Sequence, residues 1–193
     1  MNKNRQNEKE EILVNVQPIR TKEKIEDMKW SLKTWCGERD YILFLLGINS
    51  GLRCGDMLKL KISDIKGKKH FFIKENKTTK TRKIHLENIY DELNDYIKTI
   101  ENKTIWLFPS RQGSKPVSRT QIYRQLNKAA AMVDIEAVGT HTMRKTFGYW
   151  YYKATLDVAA LQQMLNHSKQ EVTLRYIGIA QEELDNSMKN FKL

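Results

Sequence analysis

The sequence has few of the residues that would staple it covalently or carry it into a membrane. Its two cysteines, Cys36 and Cys54, form no C-x-x-C pair and stand in no dense Cys/His cluster, so neither a disulfide scaffold nor a zinc module is indicated. Reduced thiols in the cytosol are the default for such sparse usage. The stretch from Met1 to Glu11 is polar and charged and lacks the apolar core of a signal peptide. The longest apolar run, Tyr41 to Ile48, is far too short to span a bilayer. A soluble, cytoplasmic protein is expected. Internal repeats and low-complexity segments are also missing, which excludes solenoids and fibrous arrays.

What the chain does have is positive charge. Lys and Arg total 34 against 23 Asp and Glu, a net charge of +11 with a sequence pI near 9.6. Such a balance is the footprint of a protein that meets polyanions, with nucleic acid as the leading partner. At 193 residues the chain is long enough for one domain with a real core.

Residues 1–17 lack apolar periodicity and are expected to form a flexible leader or linker stub ahead of a domain over 18–193. Thr21 is placed to cap a helix with Ile25, Met28, Leu32 and Trp35 at helical spacing. A second helix from Arg39 to about Asn49 is apolar on nearly every side and should be central, stopped by Ser50-Gly51. Leu52, Met57, Leu58 and Leu60 then hold Arg53 at the end of that helix, where its charge needs an anion: Asp56 three residues on, a bound phosphate, or both. Between Ile62 and Leu86 short extended runs, Phe71-Phe72-Ile73 and Lys83-Ile84-His85-Leu86, flank Asn76 to Thr81 and predict a small antiparallel sheet with a basic hairpin tip. Lys66, Lys68, Lys69, Lys74, Lys77, Lys80, Arg82 and Lys83 crowd this stretch. Asn88 is a candidate cap for a helix bearing Ile89, Leu93, Tyr96 and Ile100. Trp106-Leu107-Phe108 reads as a short buried segment, and Ser118 with Gln121 makes a capping-box pattern. Lys115, Arg119 and Arg124 near that helix start are candidate DNA-backbone contacts. A final amphipathic piece carries Leu184, Met188 and Phe191. The sum is a mainly α fold with a small antiparallel β-sheet.

The chemistry converges on Thr140-His141-Thr142-Met143-Arg144-Lys145. His141 and Arg144, three apart, share one face at a helix start, where unpaired N–H groups and the helix dipole favour a phosphate. Asp157 caps the next helix, and Asn166 can close it in a left-handed conformation that aims His167 outward. Tyr176, a potential oxygen nucleophile, follows. Taken singly, each of these residues is more often structural: a core tyrosine, a satisfied histidine, an internal ion pair.

Ser50-Gly51-Leu52-Arg53, Asn76-Lys77-Thr78 before Arg82-Lys83-Ile84-His85-Leu86, His141-Thr142-Met143-Arg144, Leu165-Asn166-His167-Ser168 and Tyr176 together resemble the tyrosine recombinases, or phage integrases, in order and spacing. The resemblance runs from about Pro18 to the C-terminus and implies the catalytic-domain fold of that family. It implies that Tyr176 attacks a phosphodiester of double-stranded DNA to form a 3′-phosphotyrosyl intermediate and a free 5′-hydroxyl, without ATP, metal or other cofactor. Arg53, Arg144 and His167 would hold the nonbridging oxygens, His141 would accept the tyrosine proton or hold the phosphate, and Lys77 would protonate the leaving oxygen, with Lys80 as the alternative. Lys68, Lys69, Lys80 and Arg82 would contact DNA. Recombination in the family engages four protomers, with a C-terminal helix docking on a neighbour, here Glu182 to Phe191. Asn166 departs from the family's usual Gly, and the family's additional N-terminal domain has no counterpart in the polar leader, as in a fragment or a short member. The rivals are a DNA-binding regulator that keeps the fold without recombining, and a type IB topoisomerase.

Overall fold

Helix starts carry much of the local instruction. In this computed structural model, which describes residues 16–74 and 81–189, Thr21 caps α1 (Lys22–Trp35), its side chain accepting from the Lys24 N–H. α2 (Glu38–Ser50) is buried continuously from Asp40 through Gly47 and ends at Gly51, φ 61°. That left-handed turn suits glycine, and a Cβ there would collide with the Phe147 ring. Two single-turn helices follow, α3 (Cys54–Met57) and α4 (Ile62–Ile65), and then the strands β1 (His70–Lys74) and β2 (Thr81–His85). The strands pair antiparallel with Phe71 opposite Ile84 and Ile73 opposite Arg82, so that Phe71 and Ile84 enter the core together.

α5 (Tyr90–Ile100) is preceded by a 3-10 turn over Glu87–Ile89, so the helical path starts before Asn88 and Asn88 does not cap it. α6 (Arg119–Ala131) begins as expected, with the Ser118 hydroxyl accepting from the Gln121 N–H. α7 (Thr142–Thr155) leads to α8 (Val158–Leu165), where Asp157 accepts from the Ala160 N–H at 2.8 Å. α8 closes on Asn166 at φ 50°, and α9 (Gln170–Ile177) on Gly178 at φ 80° before α10 (Ile179–Lys189). Three apolar residues sit otherwise than their spacing suggested: Trp35 is 46% exposed, and Leu184 and Met188 on α10 face solvent. Leu107 and Phe108 are buried, with Trp106 only half so. Phe191 lies outside the described residues.

Two hydrophobic clusters result. The larger surrounds α2 and draws on α1, α5, α6, the sheet and Met143 of α7. The smaller consists of Tyr149, Leu161, Leu165, Ile177 and Ile179, with Tyr176 packed at its edge. α7 belongs to both. Its Gly148 lets α9 approach: a Cβ there would lie 2.7 Å from Ile177 Cγ2. Of the expected leader, residues 1–15 lie outside the described residues. Val16 is buried, and the Gln17 N–H donates to the Ala137 carbonyl at 3.0 Å. Among the described residues no helix is long and apolar enough to cross a membrane.

Candidate active site

The site lies where the ends of α2 and α8 meet the start of α7. The last carbonyls of a helix have no partners within it and carry partial negative charge, so they attract guanidinium groups. Two arginines use this. Buried Arg144 donates from Nη1 to the Gly51 carbonyl at 2.5 Å and from Nη2 to the Leu165 carbonyl at 2.6 Å. Arg82, on β2, donates to the preceding carbonyl of each turn, Ser50 and Met164. Four main-chain oxygens on two helix ends are thus bridged by two planar forks. The first bridged turn leads directly into Arg53, half-buried at the N-cap of α3, and the second leads into His167.

Tyr176 approaches from α9. His141, at the N-cap of α7, places Nδ1 3.2 Å from the Tyr176 hydroxyl, and the His167 ring meets the Tyr176 ring edge-on at 4.9 Å between centroids. Burial pushes the Tyr176 phenol above its ordinary pKa, opposed by the charges of Arg144 and Arg53 and by a hydrogen bond from Arg144. Desolvation lowers the pKa of His141 to about 4, helped by Arg119, Arg144, Lys145 and Arg53. His167 is also lowered to about 4, by burial and then by Arg144 and Arg53. Both imidazoles are therefore neutral at pH 7, inside a cationic pocket suited to a phosphate.

Five of the six residues singled out by the motif are accordingly brought to one place: Arg53, His141, Arg144, His167 and Tyr176. The sixth, Lys77, lies outside the described residues, as does Lys80. Arg82 points inward onto the two helix ends. Arg119 reaches the site itself, donating from Nε and Nη2 to Thr140 Oγ1 at 3.3 and 3.2 Å, with Nη2 3.4 Å from His141 Nε2. Lys68 is exposed and its ammonium rests on the Ser63 and Asp64 carbonyls, while Lys69, Lys115 and Arg124 are exposed.

Two residues of the site escaped the sequence analysis. Buried Thr173 places Oγ1 3.1 Å from His167 Nδ1, and its position one turn before Tyr176 on the same helix was the available signal. Lys145 holds Nζ 5.2 Å over the Tyr176 ring and donates to the Val16 carbonyl at 2.7 Å. Its adjacency to Arg144 was visible, but its partner is 129 residues away.

Comparison with known proteins identifies the family and the fold. The family model described as "Phage integrase family" matches residues 21–183. A probable integrase/recombinase, YoeC of Bacillus subtilis (strain 168), is 46% identical over 177 residues, covering 91% of this chain and 97% of that protein. The tyrosine recombinase XerD of Staphylococcus saprophyticus is 26% identical over 163 residues, and there the match spans 80% of this chain but only 55% of the relative. Among solved structures, XerA recombinase gives a TM-score of 0.72 at 20% identity over 91% of this chain and 67% of that one. XerH bound to palindromic difH substrate in a post-cleavage complex gives 0.71 at 20% identity, over 91% of this chain and 53% of that one. The structural likeness establishes a tyrosine recombinase catalytic-domain fold. The chain belongs to the phage integrase family, the tyrosine-type site-specific recombinases. It spans nearly all of YoeC and about half of XerD and XerH.

Proposed function

We propose that this chain cuts and rejoins double-stranded DNA through a covalent 3′-phosphotyrosyl intermediate at Tyr176. The single observation that carries this most directly is the Tyr176 hydroxyl, held 3.2 Å from His141 Nδ1 in a pocket ringed by Arg53, Arg144 and His167. In the forward step the Tyr176 oxygen attacks phosphorus, the P–O5′ bond breaks, the phenol proton departs, and the 5′ oxygen takes up a proton from an acid, for which we assign Lys77. The reverse step, with a different 5′-hydroxyl as attacker, rejoins the strand. Bond energy is retained in the phosphotyrosine, so no ATP is consumed.

Arg53 and Arg144 suit the nonbridging oxygens because guanidinium groups keep their charge and present paired donors. Loss of one such donor typically costs about 2.7–4 kcal/mol of transition-state stabilisation, by analogy with oxyanion holes. His167 carries one N–H when neutral; with Nδ1 accepting the Thr173 hydroxyl hydrogen at 3.1 Å, that N–H falls on Nε2, where it is suited to donate to the same phosphate. Residues 18–193 act as the catalytic domain in this scheme, Lys68, Lys69, Lys115 and Arg124 supply phosphate contacts, and the working species on DNA is a tetramer in the bacterial or phage-infected cytoplasm.

A covalent trap tests the reading. Incubation with nicked duplexes from DNA flanking the gene should yield a denaturant-resistant protein–DNA adduct that Tyr176→Phe abolishes. Salt-sensitive binding to the same duplexes without any adduct would overturn it in favour of a DNA-binding regulator.

A further inference from the structure

We propose that Arg119 is a positioning residue that fixes His141 in its Nδ1–H tautomer, so that the imidazole donates a hydrogen bond to the Tyr176 oxygen. This deepens, and rests on, the assignment of Tyr176 as the nucleophile.

The inference follows from donor and acceptor inventory. An arginine side chain has only donors. Two of its nitrogens are anchored on the Thr140 hydroxyl, a buried group one residue before His141. Nη2 carries two hydrogens, one for Thr140 Oγ1 and one directed at His141 Nε2, 3.4 Å away. A neutral imidazole has one N–H and one lone pair. With the lone pair on Nε2, the Arg119 hydrogen has an acceptor and the N–H falls on Nδ1, facing the Tyr176 oxygen at 3.2 Å. The other tautomer sets the Nε2 hydrogen against an Arg119 hydrogen and leaves a charged donor without its acceptor. Burial, with Arg119, Arg144, Lys145 and Arg53 around the ring, keeps it out of the doubly protonated form at neutral pH.

The consequence concerns where the phenol proton goes. With the His141 Nδ1–H donating to the Tyr176 oxygen and the Arg144 guanidinium charge also beside it, the phenol hydrogen is directed away from both. As the O–P bond forms, that proton passes to water on the substrate side, while the His141 N–H stays in place. In the rejoining step the same N–H stabilises the departing phenolate.

Histidine carbon and nitrogen chemical shifts in the DNA-free full chain report the tautomer directly. The chain has four histidines, and the His141 signals are those that disappear in His141→Gln. Wild type should show the Nδ1–H signature. Arg119→Ala should move His141 towards the Nε2–H position, and Arg119→Lys, which keeps a donor, should restore most of the wild-type shift. Arg119 is an exposed side chain, so these variants should retain the wild-type melting temperature. An Nε2–H signature in wild type, or one unchanged in Arg119→Ala, would overturn the proposal. Because this readout needs neither DNA nor activity, its failure is distinct from failure of the Tyr176 adduct trap.

Discussion

Gly148→Ala probes the seam between the two clusters. A methyl group there would sit 2.7 Å from Ile177 Cγ2, 3.4 Å from Leu165 Cδ1 and 3.7 Å from Leu161 Cδ1. Relaxed carbon contacts lie at about 3.5–4.0 Å, so Ile177 must retreat by about 1 Å. It is fully buried among Tyr149, Leu161, Leu165 and Ile179, so any retreat presses on them. Overpacking of this kind costs about 1–3 kcal/mol, offset by about 1 kcal/mol from replacing glycine in a helix interior. The net expectation is a loss of up to about 2 kcal/mol, a fall of several degrees in melting temperature. Catalysis should suffer more, because Ile177 is the neighbour of Tyr176 and a displacement of about 1 Å at a reacting atom can cost on the order of a hundredfold in rate. Adduct formation at saturating DNA is the assay. Gly55→Ala, at an exposed glycine with open space around it, is the control and should be neutral or slightly stabilising. Ile177→Leu removes the clashing Cγ2 branch at constant volume, and combined with Gly148→Ala it should recover much of the lost rate. If Gly148→Ala behaves like Gly55→Ala in both stability and cleavage, the proposed link between this contact and nucleophile position is wrong.

Three more perturbations test separate parts of the structure. The pKa values of His141 and His167 are lowered to about 4 against an ordinary 6.5, so between those values the unfolded chain binds more protons than the folded one. Stability from these groups is full above about pH 6.5 and is lost as pH falls towards 4. Urea titrations across that range should show the decline, and a His141→Gln/His167→Gln variant should flatten it. Arg82→Met removes two charge-assisted hydrogen bonds to the helix ends and should cost about 2–4 kcal/mol in denaturant unfolding. It should leave the salt dependence of DNA binding unchanged; a flatter salt slope would place its guanidinium on phosphate instead. Finally, Lys77→Ala should impair strand cleavage far more than affinity, whereas Lys68→Ala with Lys69→Ala should weaken binding and reduce its salt slope by about one per lost contact. Equal losses of rate and affinity for Lys77→Ala would remove it as the acid.

Local grammar made much of the fold legible. Thr21, Ser118 and Asp157 announce three helix starts because an N-cap acts within three residues of itself. Gly51 and Asn166 mark two ends because only a few residue types accept a left-handed turn without strain. Asn88 misled because it lies inside a 3-10 turn, Glu87–Ile89, that already carries the chain into the helix. Trp35, Leu184 and Met188 misled because periodicity places a residue on a face without saying whether anything covers that face. The same limit applies to charge. Arg82 and Arg119 were both recognisable as cations near a basic surface, but their acceptors lie 32, 82, 21 and 22 residues away in sequence. The motif residues were legible as a set because their order in the chain is itself a pattern.

The forks of Arg82 and Arg144 grip carbonyl oxygens, and every amino acid brings the same carbonyl. Ser50 and Met164 can therefore be exchanged over generations without altering the grip, provided the backbone keeps its path. The same holds for Val16 and Ile19, whose carbonyls are held by Lys145 and Trp150. Variation at these gripped positions is buffered, while drift at the gripping side chains is not. A lineage of such proteins should thus vary more readily at positions that offer only a carbonyl, such as Met164, than at Arg82, Arg144 and Lys145, whose side chains do the reaching.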